Sequence, residues 1–501
     1  MITIQSSIAK IRLSTALASL LISIIAFYGN DLLNRDGILY VDMASAYAQG
    51  GFEALLQYSD FGWPFFSIVI AYIHQITHLP VELSAIVLNV FLFVVLTDAL
   101  VLVSNKILPN SRQVAFAALL FLCFLTLNHY RVFIGRDVGY WAFCMLALYQ
   151  FILYLEKPSI KKALLWQVLM VLAILFRIDG VVILLGLPLY LFTTQSPTIA
   201  LKQIIQFFYL LIAGALLAML IAIDQSSLAT IFSKIGSVTK YINPDNVLTH
   251  FKLNTDLIET HILNKWSARY SALILSSGLI TMLAYKLINA LTLGYLGIYI
   301  YSLWKHTFHR VTPYRKLIAY FLALNIIILL GFIFTEYFVS KRYTVLAVMC
   351  LLLLMLPRIC DTLEKVWLAK YKPIIVAVGL ILFVSLVDSV THSNSKLYIK
   401  DVAIWASNNL PETSTVLTNN KIIKYYFNNH QPVAKISLTP SVNAYQNIDG
   451  YQNYDYLIIL LEKNKSKQLR QQLTTMKIKP VFKLENERGS NATVYQIQPS
   501  K

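Results

Sequence analysis

Charged residues are scarce in this chain. Only 13% of its 501 residues are charged and 57% are hydrophobic, and the mean hydropathy is +0.61. Soluble domains carry about 25% charged residues, so the composition excludes an ordinary soluble fold. Nearly uncharged apolar stretches recur between residues 13 and 390, each about long enough to cross a bilayer. Because the alternating pattern of a membrane barrel is missing, the sequence predicts a polytopic α-helical membrane protein.

Cysteine is also rare. The chain has four, of which Cys123, Cys144 and Cys350 fall inside apolar stretches and Cys360 lies just beyond one. They form neither a CxxC pair nor a cluster with histidine, so the sequence supports neither a zinc site nor a disulfide framework.

Acidic residues are few, 25 against 42 Lys and Arg, which gives a formal net charge of +17. Such an excess is a weak sign of nucleic-acid binding. In a membrane protein, the positive-inside rule explains it, because basic residues accumulate in the cytoplasmic loops. We therefore expect no nucleic-acid partner.

The apolar stretches predict about eleven transmembrane helices, with a cytoplasmic N-terminus because Lys10 and Arg12 precede the first. The predicted spans are residues 13–29, 82–104, 113–129, 140–155, 163–176, 180–194, 203–223, 285–304, 317–335, 344–357 and 374–390. The cytoplasmic segments then hold sixteen Lys and Arg but only three acids. Residues 63–79 are interpreted as an interfacial or re-entrant helix, because a span there would invert every later loop. Residues 270–285 are apolar but short, and stay ambiguous.

The chain is predicted to divide at residue 390. Residues 1–390 form the transmembrane catalytic domain, with external loops 30–80 and 224–270, and residues 391–501 form a small soluble α/β domain. In the latter, residues 414–417 and 456–461 are typical of strands and 463–476 of a helix. Two more strands are expected around a turn at 487–491.

Several charges break the positive-inside pattern on the external side, at the ends of predicted helices. They are Arg35, Asp36, Arg131, Arg136, Asp137, Lys341 and Arg342. Charges at membrane depth tend to mark sites or ion pairs, although a single patch also suits a cation reaching the headgroups or an Arg–Asp pair closing a helix. Cations of this kind can bind phosphate oxygens, and a carboxylate can act as general base. The set suits an anionic lipid-linked donor and a hydroxyl acceptor.

Three stretches carry a resemblance to a known family. They are "RDGILYVDMASAYAQGGFEALL" after the first span, "HYRVFIGRDVGYWAFCMLALYQF" in the second external loop, and "FVSKRYTVLAVMCLLLLMLP" late in the chain. Their order resembles the GT-C superfamily of polyprenyl-phosphate-sugar-dependent glycosyltransferases, nearest to the protein mannosyltransferase and lipid A aminoarabinose transferase branch. Gly37 stands where the family often has a second acid, which weakens a metal-binding pair. The stretch "FRIDGVVILLGLPLY" is similar to a turn common in these chains, with Asp179 as a weaker candidate.

The resemblance implies roles for individual residues. Asp36 is expected to be the catalytic base or its close partner, and Asp137 to orient the acceptor or the sugar. The residues expected to bind the donor phosphate are Lys341, Arg342, Arg136 and Tyr343. Weaker candidates for substrate binding are Arg35, Tyr40, Arg131 and Arg177.

The resemblance also implies the partners and the location. The donor would be a polyprenyl-phosphate sugar, and the acceptor a lipid, a glycolipid, a polysaccharide or a protein. No nucleotide or metal is expected, while a divalent cation stays open. The enzyme would lie among the lipids of a bacterial inner membrane with its C-terminal domain in the periplasm, and would modify lipopolysaccharide or another component of the cell envelope.

Other classes of protein remain as alternatives. A lipid-linked polysaccharide polymerase or ligase would favour a large external loop late in the chain. A transporter or flippase would show paired internal repeats with broken spans in matching positions, and no such symmetry is visible. For a structural scaffold, three charged patches on one side would be coincidence.

Overall fold

The chain forms two compact units. The computed structural model describes residues 2–29, 32–57, 63–213, 244–305, 312–390, 396–430, 435–438, 451–463, 466–476 and 478–497. The first unit comprises Met1–Ile25 with Met43–Val390, and the second comprises Ala26–Asp42 with Thr391–Lys501. Residues 26–42, which the sequence placed with the transmembrane part, thus group with the C-terminal residues. Parts of both predicted external loops, residues 30–31, 58–62 and 224–243, lie outside the described residues.

Up to residue 390 the described chain is almost entirely helical. Its α-helices are α1 Ile2–Tyr28, α2 Arg35–Gln57, α3 Phe65–Thr77, α4 Val81–Ile107, α5 Ser111–Leu122, α6 Leu125–Asn128, α7 Asp137–Glu156, α8 Ile160–Phe176, α9 Gly180–Gly186, α10 Pro197–Gln206, α11 Pro244–His261, α12 Ser271–Leu291, α13 Leu293–Lys305, α14 Arg315–Glu336, α15 Val345–Leu368 and α16 Lys372–Val390. Short 3₁₀ turns are found at Leu187–Thr193, Ala268–Tyr270 and Lys341–Thr344.

Within the part of the chain that the structure describes, seven helical segments are long and apolar enough to cross a membrane. They are Ser7–Tyr28, Val81–Ile107, Asp137–Glu156, Ala268–Leu291, Arg315–Glu336, Lys341–Leu368 and Lys372–Ser389. Four other predicted spans fall on shorter helices, and these are residues 113–129, 163–176, 180–194 and 203–223. The last of them extends beyond the described residues. The membrane class therefore stands, whereas the number of eleven crossings remains a prediction.

One predicted span is wrong in its bounds. Residues 285–304 do not form one helix, because α12 ends at Leu291 and α13 begins at Leu293. Between them Thr292 adopts a φ of +63°, which a β-branched residue rarely takes and which interrupts the helical hydrogen bonding. The long apolar helix is instead α12, in the stretch that the sequence left ambiguous. Hydropathy missed the break because both sides of it are apolar.

Helix α3 covers the stretch interpreted as interfacial. Its 13 residues span about 20 Å, less than the hydrocarbon core of about 30 Å. It ends at His78 in the left-handed conformation, where His78 N donates to His74 O. The length of α3 agrees with the interpretation that it does not cross the bilayer.

Helices α7 and α8 form the core on which the site is built. Only residues 157–159 join them, so they run antiparallel and the first residue of α7 lies beside the last of α8. At the opposite end Trp166, Tyr154 and Phe207 pack together, with ring centroids 5.0 Å and 4.6 Å from Phe207. Buried aromatic side chains of this size hold a helix pair firmly.

Ion pairs fasten the end of the first unit that carries the basic loops. Lys106 at the end of α4 lies 2.8 Å from Glu156 at the end of α7. Arg12 donates two hydrogen bonds of 2.7 Å to Asp98, so this pair joins α1 to α4. Bidentate pairs of this kind fix both distance and orientation.

The second unit contains a five-stranded sheet. Its strands are β1 Thr415–Thr418, β2 Lys435–Leu438, β3 Tyr456–Leu461, β4 Ile478–Glu485 and β5 Asn491–Ile497, and its helices are α17 Leu397–Asn409, α18 Lys421–His430 and α19 Lys467–Thr475. The strand order is β2-β1-β3-β5-β4, with β2, β1 and β3 parallel and the last two antiparallel. The predicted strands, the helix and the final turn are confirmed. The weaker patterns of α17, α18 and β2 were missed.

Asp455 ties two parallel strands of this sheet together. One of its carboxylate oxygens accepts from Thr415 N at 2.7 Å and from Thr415 Oγ1 at 2.9 Å, and these hydrogen bonds lower the pKa of Asp455. Its stabilising contribution is therefore present above the usual carboxyl pKa, near 4, and is lost as the pH falls through the lowered value.

We expect Asp455→Asn to destabilise the β1–β3 pairing by about 1 kcal/mol at pH 7, since solvent screens this exposed carboxylate. The measurement is hydrogen exchange at residues 413–420 of the full-length protein, at matched pH values between 3 and 7. The difference from wild type should shrink at the acid end, and Glu412→Gln, an exposed neighbour, should exchange like wild type. A difference that does not change with pH would contradict this role.

Candidate active site

The site begins at Asp137, the first residue of α7. A carboxylate in the first turn of a helix is stabilised by the unpaired N–H groups there. Asp137 is buried, and Arg136 lies immediately before it. Because buried carboxylates are retained only when they are paired, the partners of Asp137 define the site.

Its main partner is Arg177, directly after α8. Arg177 Nη1 donates to Asp137 Oδ1, while Arg177 Nε and Nη2 lie 2.8 Å and 2.5 Å from Asp179 Oδ2. The side chains of Arg177 and Asp137 are only 12% and 11% exposed. One guanidinium thus holds two carboxylates at the end of the α7–α8 pair. The sequence ranked Arg177 among the weaker candidates, and the structure places it at the centre.

Arg342 and Tyr343 approach the same carboxylate from the 3₁₀ turn before α15. Arg342 Nε lies 3.8 Å from Asp137 Oδ2, and Arg342 Nη2 donates to Tyr343 Oη at 3.2 Å. The Tyr343 ring lies 4.5 Å from the guanidinium carbon of Arg177 and 5.1 Å from that of Arg342. An aromatic face against two guanidinium groups orients both of them.

The charges of the network and its immediate chain neighbours do not cancel. Asp137 and Asp179 supply two negative charges, against four positive ones from Arg136, Arg177, Lys341 and Arg342. Of these, Lys341 is half-buried next to Arg342. The net positive charge favours an anionic ligand.

Tyr130 lies near the same charges. Burial raises the pKa of Tyr130 to about 12, and the charges of Arg342 and Asp137 act on it with opposite sign. The hydroxyl therefore stays protonated and can donate a hydrogen bond. No sequence pattern distinguished Tyr130 from the other tyrosines, of which the chain has thirty in all.

A partly open cleft lies beside the ion-pair network, and its empty space of about 390 Å³ includes open solvent. Its lining residues are Tyr140, Trp141, Arg177, Asp179, Asn325, Ile328, Leu329, Phe332, Tyr343 and Leu346. One end is cationic and hydrogen-bonding, and the wall provided by α14 is apolar. Such a combination suits a ligand with an anionic head and an apolar chain.

Asn325 was missed by the sequence analysis. It lies in the middle of α14, where Asn325 Nδ2 donates to Phe321 O at 2.8 Å, and it lines the cleft. A polar side chain inside a membrane helix usually faces a cavity, so its position in the apolar run was the signal that could have found it.

Gly139 allows α7 and α8 to approach at the site. A Cβ there would lie 2.4–2.6 Å from ring carbons of Phe176, the residue before Arg177. The Phe176 ring has little room to move, because Phe65 packs edge-on at 5.2 Å and Phe143 stacks at 5.7 Å. A larger residue at 139 must push the end of α8 and Arg177 away from Asp137.

We expect Gly139→Ala to destabilise the protein by about 1–3 kcal/mol, the usual effect of overpacking. The measurement is the thermal unfolding midpoint in detergent, with Gly331→Ala, where a Cβ meets nothing within 4 Å, as the control. Adding Phe176→Leu should recover part of the loss, because the two changes share one contact. Equal midpoints for both glycine variants would contradict the proposed packing.

Arg131 has a different environment from the one predicted. It is fully buried, and its guanidinium donates to Asn128 Oδ1 at 2.8 Å, Ser19 Oγ at 3.0 Å and Ser23 Oγ at 2.6 Å. The Phe93 ring covers it at 4.9 Å. These contacts join α1 to the segment before α7, so we revise its expected role from substrate binding to helix packing.

Arg35, Asp36 and Tyr40 belong to the second unit, whereas the ion-pair network belongs to the first. Arg35 begins α2, and Asp36 lies in its first turn. Just before them, Leu33 N donates to Tyr426 Oη at 2.9 Å, which joins this segment to α18. The roles of these three residues rest on the sequence resemblance and stay predictions.

Among the described residues, no group of three or more His, Cys, Asp or Glu could hold a metal ion. Asp137 and Asp179 both accept hydrogen bonds from Arg177. A guanidinium between two carboxylates leaves a poor donor set for a cation, so the residues of this network do not fit a metal.

Comparison with known proteins identifies the fold. No protein-family model and no curated protein matches the chain. Among solved structures, it is similar to an oligosaccharyltransferase from Archaeoglobus fulgidus, crystallised with Zn and sulfate, at 13% identity and a TM-score of 0.50. The match covers 90% of this chain and 67% of the other. A second structure of that enzyme, tethered through a disulfide bond to an acceptor peptide with the NVT sequon, gives 11% identity and a TM-score of 0.53, with 89% and 68% covered. The chain shares the fold of this archaeal enzyme.

At such low identity the likeness concerns the fold alone. It agrees with the membrane fold that the sequence motifs led us to expect, and the GT-C superfamily itself stays a prediction. It leaves the protein mannosyltransferase and lipid A aminoarabinose transferase branch unconfirmed.

Proposed function

We propose that the protein is an integral-membrane glycosyltransferase that moves a sugar from a polyprenyl-phosphate donor to an acceptor hydroxyl. The observation that carries the proposal is the cleft beside the ion-pair network, with the Arg177 guanidinium at one end and the mostly apolar residues of α14 as its wall. The fold shared with an oligosaccharyltransferase supports the reaction class. A lipid-linked sugar phosphate has an anionic phosphate that fits the cationic end of the cleft and an apolar chain that fits its apolar wall.

The donor phosphate would bind at the cationic end. Arg342 and Tyr343 are the leading candidates, because they already face the network, and Lys341 and Arg136 add positive charge beside them. Guanidinium groups bind phosphate oxygens through paired, charge-assisted hydrogen bonds. The first isoprenyl units would pack on Ile328 and Phe332 of α14.

In the transfer step, the acceptor oxygen forms a bond to the anomeric carbon of the sugar. The bond from that carbon to the phosphate oxygen breaks, and polyprenyl phosphate leaves with the electron pair. Arg342 and Arg177 would stabilise the charge that develops on the phosphate. A carboxylate must take the hydroxyl proton as the new bond forms.

The contacts of Asp137 argue against its acting as that base. Two guanidinium groups stabilise its charged form, which makes it a weak proton acceptor. Its role would be to position Arg177 and Arg342. We therefore assign the proton to Asp36, as the sequence resemblance implies, and assign no step to a metal.

The arrangement of helix ends supports a reaction on the periplasmic face. Asp137 begins α7, whereas Glu156 at its other end pairs with Lys106 in the end that carries the basic loops. By the positive-inside rule the basic end is cytoplasmic, which puts Asp137 and Arg177 on the opposite side. We propose a bacterial inner membrane, a periplasmic C-terminal domain, and an acceptor of the cell envelope such as lipopolysaccharide, another glycan or a protein.

A transfer assay in membranes tests the proposal. The donors are radiolabelled polyprenyl-phosphate sugars, and label is counted separately in lipid, polysaccharide and protein fractions. Wild type should move label to one fraction, which names the acceptor, and Arg342→Met should lower transfer by about 100-fold or more. The control is Arg112→Met, at the far end beside Glu364.

The same assay separates the alternatives. Label that enters chains of increasing length would indicate a polymerase. Unchanged donor that crosses the bilayer would indicate a flippase. An absence of transfer from every donor, or equal transfer by Arg342→Met, would overturn the proposed glycosyltransferase site.

A further inference from the structure

A cluster of cations lies on the sheet of the second unit, apart from any residue used above. Helix α19 packs Leu469 and Leu473 onto one face of the sheet, against Leu457 and Ile459 of β3 and Tyr495 of β5. These contacts define which face α19 covers.

The strand register places two charged side chains on that same face. Lys483 pairs with Thr493, and Glu485 with Asn491, in the antiparallel β4–β5 ladder. Side chains alternate along a strand, so residues 491 and 493 point to the face of Tyr495, and so do their partners. Lys483 and Glu485 therefore lie beside α19, and Lys483 Nζ is 2.6 Å from Glu485 Oε2.

Lys463 reaches the same place from the turn before α19. Lys463 N donates to Ser490 Oγ at 3.3 Å, next to the turn that joins β4 and β5. A Cβ on Gly489 would lie 3.3 Å from Lys463 Cδ and 3.8 Å from Glu485 Oε1, so both side chains border this glycine. The lysine stem and the Glu485 carboxylate thus meet over Gly489.

The side chain of Arg470 indicates that a ligand binds here. It follows Leu469 on α19, and its Nε and Nη2 atoms are buried without a hydrogen-bond partner among the described residues. Guanidinium nitrogens withdrawn from water are destabilising unless an acceptor is present, so these two atoms favour a bound anion. The charge of Arg470 acts on both Glu485 and Tyr495, which places the guanidinium within the cluster.

We propose that Arg470, Lys463 and Lys483 form a binding site for a phosphate-type oxyanion between α19 and the β4–β5 edge. Three cations against the single carboxylate of Glu485 leave a net charge of +2. Arg470 offers two converging donors, the geometry that matches phosphate oxygens, and each lysine adds a flexible one. Ser490 Oγ accepts from Lys463 N, so its own hydrogen can point to the ligand.

The same chemistry is carried by a free phosphate ester and by the headgroup of an anionic lipid, and the test separates them. Full-length protein is placed in nanodiscs of phosphatidylcholine alone or with phosphatidylglycerol. Hydrogen exchange is followed at residues 466–476 and 478–490. Inorganic phosphate is titrated into the neutral discs, with chloride at equal ionic strength as the reference.

Wild type should gain protection in these two segments, either on adding phosphate or in the anionic discs, and the arm that responds names the source. Arg470→Met should weaken the response by about 10- to 100-fold. Arg488→Met, which removes an exposed cation from the neighbouring turn, should respond like wild type.

The Arg470→Met variant should also fold normally, because methionine replaces the guanidinium with an apolar chain of similar length, and two buried nitrogens of that guanidinium have no hydrogen-bond partner among the described residues. Its thermal midpoint without ligand should equal or exceed that of wild type. Equal responses in Arg470→Met and wild type, or no response in either arm, would overturn the site. The result is independent of sugar transfer, so failure here leaves the proposed enzyme untouched.

Discussion

Asp36→Asn is expected to lower the rate of sugar transfer by about 100- to 10,000-fold, the range in which a positioned general base acts. Asparagine keeps the size of the side chain but cannot accept the proton of the acceptor hydroxyl. The measurement is the initial rate in membranes with equal amounts of protein, taken over a range of donor concentrations. The loss should fall on kcat, with KM for the donor nearly unchanged.

Two comparisons make the result decisive. Glu53→Gln, at an exposed position further along α2, is a matched control and should transfer at the wild-type rate. Asp137→Asn should differ from Asp36→Asn in that thermal stability falls together with transfer. The reason is that Arg177 and Arg342 lose their shared partner. If Asp36→Asn transfers as fast as wild type, Asp36 is not the general base.

Arg177→Met is expected to lower both the stability of the protein and the rate of transfer. It removes the common partner of two carboxylates, and breaking a buried pair in this way destabilises by about 3–5 kcal/mol. Transfer should fall by about 100-fold or more, because Arg342 and Tyr343 lose their orientation as well. Thermal unfolding in detergent and the transfer assay measure the two effects separately.

A combined variant distinguishes the structural from the chemical role of Arg177. Adding Asp137→Asn and Asp179→Asn to Arg177→Met removes the unpaired charges, so stability should return towards wild type while transfer stays low. By contrast, Arg112→Met breaks an exposed pair of 3.5 Å and should change stability by less than about 1 kcal/mol. Recovery of transfer in the combined variant would show that Arg177 is only a structural residue.

The sequence by itself determined the class of protein and the sidedness of its charges. Uninterrupted apolar stretches admit only membrane helices, because no soluble fold could cover so much apolar surface. Alternating patterns and turn residues likewise predicted β3, β4 and β5, since those signals are local. The order of three charged motifs suggested the GT-C superfamily, which stays a prediction, while the comparison shows a fold shared with the archaeal enzyme.

Only the tertiary structure decided which charges act together. Arg131 and Arg177 looked alike as cations at helix ends, but packing buries the first against Ser19 and Ser23 and places the second between two carboxylates. The choice depends on α1 and on the α7–α8 contact at Gly139, which join residues far apart in the chain. Local sequence patterns do not predict such contacts, because the sequence of a single helix does not specify which helix packs against it. For the same reason the break at Thr292 and the grouping of residues 26–42 with the C-terminal unit emerged only from the folded chain.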